Sequence, residues 1–204
     1  VQSKFFAVGS VVPWAKAGVG AVATQSYANV DYGPEGLERL AKRQSARETV
    51  DALTKADANR RLRQLGIVDA KGRSASFTGS GCKHWAGHIE KPNFCAQGNI
   101  LTGEEVVRSM VSSYEQAQKK TGTGLCDWLA LALMDGQKAG GDSRGRQSAA
   151  LLVVRKNGGY AGGNDRFIDL RVDDHKTPIV ELLRLLSIHK KMFRRAHENP
   201  PKAG

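Results

Sequence analysis

Cysteine is scarce in this chain: Cys82, Cys95 and Cys126 are the only three among 204 residues. Three is too few, and of the wrong parity, for a disulfide framework, so a reducing, cytoplasmic setting is expected. Long apolar runs are missing as well. The most apolar helix-like stretch, Leu125 to Met134, is short and contains Asp127, which excludes it as a membrane span. No internal repeat, low-complexity tract, helix-turn-helix or zinc-finger spacing is present. The run Cys82, His84, His88, Cys95 reads C-x-H-x3-H-x6-C, which matches none of the usual structural zinc patterns. Neither a metal nor a cofactor is therefore expected. An initiating Met is also lacking. The chain opens at Val1, inside what reads as an apolar strand, and is expected to be a fragment or a processed product.

What is there suits a soluble globular protein. A length of 204 residues allows one sizeable core. The net charge of +11 is unevenly placed. Arg184, Lys190, Lys191, Arg194, Arg195 and Lys202 crowd an amphipathic C-terminal helix and tail, whose apolar side carries Leu182, Leu183, Leu185, Leu186, Ile188, Met192 and Phe193. A basic helix face can meet nucleic acid. No basic groove interleaved with aromatics accompanies this one, so a solvated face is expected and nucleic acid is not an expected partner. The apolar surface of that helix points instead to a homodimer.

The densest chemistry lies in Gly140-Gly141-Asp142-Ser143-Arg144-Gly145-Arg146-Gln147, directly before an apolar run. Glycines allow a tight turn or close approach to a ligand. Arg144 and Arg146 offer planar donors suited to an anion, and Asp142 can either hold one Arg or bind a substrate amine. A self-satisfied Arg–Asp brace remains the alternative. Thr24, Gln25 and Asn99 sit at strand ends. Amides there can polarise a carbonyl or stabilise an oxyanion, or they can cap the open strand end. Cys82 is a candidate internal nucleophile with His84 or His88 as base, or else a small buried residue. Asp165, Asp169, Asp173, Asp174 and His175 form an acidic set, facing either a cleft or solvent, where Arg166 and Arg171 would brace them.

The element pattern predicts strands over Phe5–Val12, stopped by Pro13, and over Gly18–Thr24. A helix opens at Gly33-Pro34-Glu35, and a second begins at the capping box Ser45-Ala46-Arg47-Glu48. A hairpin turns at Ala70–Arg73, and a strand covers Phe94–Gln97. A second capping box, Thr102 to Glu105, starts a helix with Val106, Val107, Met110, Val111 and Tyr114 on one face. Another helix uses Leu125, Trp128, Leu129 and Ala132. Strands follow over Ala149–Arg155 and at Ile168, Leu170 and Val172. No βαβ alternation runs through this order, which favours an α+β protein with antiparallel sheets.

Seven segments together resemble the family labelled DUF1028. They are Ser3–Gly9, Gly20–Gln25, Gln64–Asp69, Trp85–His88, Gln97–Leu101, the Gly-Asp-Arg segment and Asn164–His175, in that order from Val1 to about His175. The resemblance implies the N-terminal nucleophile (Ntn) hydrolase superfamily, hence a four-layer αββα sandwich of antiparallel sheets over residues 1–177, with the basic helix and tail over 178–204. It also implies hydrolysis of a small amide or related C–N bond by the first residue of the mature chain. Val1 has no nucleophilic atom, so the implied nucleophile is absent. In this reading Gln25, Asn99 and Cys82 are the catalytic candidates. Thr24, Asp142, Arg144, Arg146, Gln147, Asp165 and Asp169 would bind a charged small-molecule substrate of a bacterial, cytoplasmic homodimer. The other expectation is a non-catalytic module of the same fold that recognises an anionic ligand or partner.

Overall fold

Two-residue alternation decides which way the strands of the first layer face. In the computed structural model, which describes residues 1–193, β2 (Pro13–Lys16), β3 (Gly20–Ser26), β4 (Arg63–Asp69) and β5 (Ser74–Thr78) form an antiparallel sheet in that order. Val22, Leu65 and Ile67 point to one face. There they join Val50, Leu53 and Leu40 from α1 (Tyr32–Ala41) and α2 (Ala46–Ala56) in one buried cluster. Each such buried aliphatic side chain contributes about 1.5–3 kcal/mol. Helix α2 starts at the expected capping box: Ser45 accepts from the Glu48 N–H, and the Glu48 carboxylate accepts from the Ser45 N–H. The Lys71–Arg73 hairpin turn is held by Asp69, which accepts from both backbone N–H groups.

The residues between, Ala23, Gln25, Gln64 and Gly66, face the opposite way. Across from them lie β6 (Gly87–Lys91) and β7 (Phe94–Gly98), an antiparallel pair. Strand β7 packs on β4 and β6 on β5. The layers approach closely at Gly66: a Cβ there would stand 2.5 Å from Gln97 Oε1, so that side chain would have to shift. The remaining sheet has the order β1 (Gln2–Ser3), β8 (Ser148–Val154), β9 (Arg166–Val172), all antiparallel. Helix α3 (Glu105–Gln118) covers β6 and β7, α5 (Pro178–Met192) covers β8 and β9, and α4 (Leu125–Lys138) packs between α3 and α5. The molecule is thus a mixed α+β fold with antiparallel sheets, and the strands opposite the four-stranded sheet form two separately hydrogen-bonded groups.

Three local expectations change. Phe5–Val12 is not a strand. After Ser3 the chain bends, with Ala7 at φ 51°, and forms a 3-10 turn over Val8–Ser10. The buried Ser148 hydroxyl imposes the bend by donating to the Phe5 carbonyl and accepting from the Val8 N–H. Pro13 therefore starts a strand instead of ending one, at the sheet edge where a missing N–H is tolerated. The second capping box does not form: α3 has Glu104 at its N-cap with no side-chain cap. The Thr102 N–H donates instead to the Gly141 carbonyl. Leu125 stays exposed at the first turn of α4, while Cys126 takes the core position. On α5, Leu182 and Leu186 are buried, whereas Ile188 and Met192 remain exposed. Arg184 pairs with Glu181, and Lys190 with Asp127. Arg194, Arg195 and Lys202 of the expected basic tail lie outside the described residues.

Candidate functional site

A cavity of about 760 Å³ lies between the layers. Its wall is mostly apolar, with Val106 and Met110 from α3, Leu133 from α4 and Leu151 from β8, and its polar groups include Gln25, Gln97, Asn99, Gln137, Asp142 and Arg144. Gln25 comes from the end of β3, and Asn99 directly follows β7. Each precedes a residue with left-handed backbone, Ser26 at φ 70° and Ile100 at φ 56°. Such a conformation is rare for a β-branched residue and persists only where surrounding bonds impose it. At Ile100 those bonds are visible: its N–H donates to the Lys83 carbonyl, and its own carbonyl accepts from both the N–H and the hydroxyl of Ser143. Both strands therefore turn away sharply just past their amide side chain.

The two amides meet on Gln64, which is fully buried in β4. Gln64 Nε2 shares its two hydrogens among the carbonyls of Gly98 at 2.8 Å and Gly87 at 3.1 Å and Thr78 Oγ1 at 2.9 Å. Backbone carbonyls only accept, so this end of Gln64 must be the nitrogen. Its Oε1 then accepts from Gln25 Nε2 at 2.7 Å and Asn99 Nδ2 at 3.1 Å. Beyond Thr78 the chain of bonds reaches His88 Nδ1 at 2.8 Å. Burial pulls the His88 pKa down and favours the neutral ring, and either partner can donate in this bond according to the tautomer.

Asp142 and Arg144 stand on another part of the same wall. Gly140 and Gly141 both have positive φ, and a Cβ at Gly140 would fall 2.0 Å from Thr102 Oγ1, so glycine is required there. The Asp142 carboxylate, 6% exposed, is fully engaged. Arg144 grips it with Nε at 3.0 Å and Nη2 at 2.6 Å, and the N–H groups of Lys4 and Arg144 add two more bonds. Burial pushes the Asp142 pKa up, but these donors outweigh it and hold the carboxyl below its ordinary value, while Arg144 is raised by the same bond. Arg144 Nη2 also reaches Ser3 Oγ at 3.3 Å. Asp142 and Arg144 are thus chiefly partners of each other.

The other residues singled out in the sequence lie elsewhere. Thr24 is one residue out of phase with Gln25, so it faces the helices; it is fully buried and donates to the Asn29 carbonyl. Arg146 and Gln147 line a second, shallower cleft with Lys4, Asp174, His175 and Lys176. Cys82 donates to the Arg63 carbonyl and is not among the cavity-lining residues, and neither is His84 or His88. Asp165 accepts from the Asn157 N–H in a turn, and Asp169 is held between Arg166 and Arg171. No group of three or more His, Cys, Asp or Glu side chains converges as a metal site among the described residues. None of the described helices is long and apolar enough to cross a membrane. Gln64 was missed in the sequence. Its signal was the strand Gln64-Leu65-Gly66-Ile67, in which a polar or small residue alternates with fully buried aliphatics.

Comparison with known proteins agrees with this architecture. A crystal structure of a Silicibacter pomeroyi protein assigned to DUF1028 superposes with a TM-score of 0.82 at 26% identity, covering 93% of this chain and 78% of that one. No curated protein matches the chain. The model of the family of unknown function DUF1028 matches residues 1–182, nearly the whole of the described fold, and the chain belongs to that family.

Proposed function

We propose that the cavity between the layers binds a small molecule with an apolar body and a polar head, and that the domain acts on an amide or related C–N bond in that head. The convergence of Gln25 and Asn99, from strands in opposite layers, on the buried Gln64 carries this reading. It sets two neutral amides side by side at the polar end of an apolar cavity, the composition usual for a small-molecule site. Oriented amides act on a carbonyl through preorganised hydrogen bonds. The succession of α1 and α2, the four-stranded sheet, the opposing strands and then α3 to α5 supports reading the fold as the αββα sandwich of the Ntn hydrolases.

One observation favours pure recognition as the second reading. Two of the hydroxyl and thiol groups that line the cavity are candidate nucleophiles in type, yet Ser3 accepts from Arg144, and burial raises the Cys95 pKa. Neither of these two is paired with a base among the described residues. A panel of small primary and secondary amides, followed by mass spectrometry for cleavage and by thermal shift for binding, separates the two. Cleavage that disappears in Asn99→Leu supports hydrolysis. Stabilisation of the fold by an amide that is recovered intact supports recognition alone, and a panel that neither reacts nor binds refutes both. The exposed Val180, Ile188 and Met192 on α5 would form the contact of a homodimer. Light scattering that shows a monomer at micromolar concentration would remove that proposal.

A further inference from the structure

The Arg-rich segment invites the expectation of an anionic ligand, but the hydrogen-bond directions around the cavity favour the opposite polarity. The orientation of the amides is not free. The Gly87 and Gly98 carbonyls force the nitrogen of Gln64 toward themselves, so its oxygen faces Gln25 and Asn99. Each of these must turn its NH2 toward Gln64, so each carbonyl oxygen points away from Gln64. Among the described residues, neither Gln25 Oε1 nor Asn99 Oδ1 has a hydrogen-bond partner. Neither of these two oxygens is fully buried, whereas two other cavity residues carry buried amide oxygens with no partner, Gln97 Oε1, whose nitrogen is fixed by the Ala23 carbonyl, and Gln137 Oε1; on the donor side the buried orphan is Gln2 Nε2. A buried polar atom without a partner costs free energy that a bound ligand can restore.

The basic groups do not offset this excess of acceptors. Arg144 is neutralised by Asp142 in a two-pronged pair, and Lys83, the other basic side chain among the lining residues, is exposed. A carboxylate entering the cavity would put its oxygens against unpaired carbonyl oxygens, with no dedicated cation to compensate. An N–H-bearing head would meet acceptors that have free lone pairs.

Resting on the cavity being a ligand site, we infer that it selects ligands whose polar head donates N–H groups, a primary carboxamide or an amine, and rejects the matching carboxylate. Gln25 and Asn99 are the specificity-determining residues, and Gln64 is the positioning residue that fixes their polarity.

Three compounds with one apolar body decide it: phenylacetamide, phenethylamine and phenylacetate, each titrated against the full chain by saturation-transfer NMR at neutral pH. Phenylacetamide or phenethylamine is expected to bind at least tenfold more tightly than phenylacetate. Asn99→Leu and Gln25→Leu are expected to reduce that preference to less than threefold while keeping the wild-type amide spectrum of the fold. Should either variant fail to fold, the wild-type comparison still decides. Phenylacetate binding as tightly as the other two overturns the selectivity and leaves the cavity a ligand site. Binding of none of the three at millimolar concentration overturns both.

Discussion

The corner around Asp142 and the cluster around Gln64 are both polar, and both border one cavity, yet they behave in opposite ways. The corner holds the formal charges and closes on itself: both Asp142 oxygens accept, from Arg144 Nε and Nη2 and from the backbone N–H groups of Lys4 and Arg144. The cluster holds no charge and stays open, because each amide carries a donor and an acceptor and the shared bond to Gln64 engages only the donor. Charge density marks where a chain needs internal compensation. Availability to a ligand depends on what is left over after the internal bonds form.

The largest effect is expected from Gln64→Leu. It strands the buried Gly98 carbonyl and the neighbouring Gly87 carbonyl and releases both amides. Leaving such groups unsatisfied costs about 1–3 kcal/mol each, so a loss of about 3 kcal/mol in urea unfolding is expected, together with loss of head-group preference. A stable variant with unchanged preference would break the contrast at its open end. Arg144→Met tests the closed end. It keeps most of the stem packing but leaves a buried carboxylate with backbone donors alone, for an expected loss of about 2 kcal/mol with ligand preference intact. A drop in ligand affinity at unchanged stability would return Arg144 to the binding site.

Acid separates the two regions further. The folded Asp142 pKa lies below its ordinary value, so the corner contributes stability that is complete above the unfolded carboxyl pKa of about 4 and fades as pH falls from there through the folded value. The amide cluster has no titrating member apart from the peripheral His88. The stability difference between wild type and Asp142→Asn should therefore shrink when melts are repeated at successively lower pH below about 4. A difference that does not shrink at all as the pH falls would mean the corner is held by shape and not by charge. The smallest effect belongs to Arg146→Met. Its side chain is exposed on the second cleft and forms no ion pair among the described residues, so stability should stay within about 0.5 kcal/mol. A larger loss would show that the two arginines of the segment share one role.

Legibility in the sequence followed the range of the interactions. The Ser45–Glu48 cap, the turn at Lys71–Arg73 and the alternation along Arg166–Val172 rest on residues two to four apart, and each forms as its pattern implies. The strand expected over Phe5–Val12 fails because its bend is imposed by Ser148, more than a hundred residues away. The capping box at Thr102 fails for a similar reason, since its backbone is tied to Gly141.

By itself the sequence determined the α+β class, most of the elements and the presence of polar residues at strand ends, because propensity, capping and periodicity act within a few residues along the chain. Only the tertiary structure decided which of those polar residues face one another. Gln25, Gln64 and Asn99 come from three strands, and a one-residue difference in phase sends Thr24 to the helices and Gln25 to the cavity. The polarity of the site was settled later still, by two backbone carbonyls that orient a single buried glutamine. Backbone carbonyls are the same in every sequence, so their influence on a side chain becomes visible only when the strands that carry them are in place.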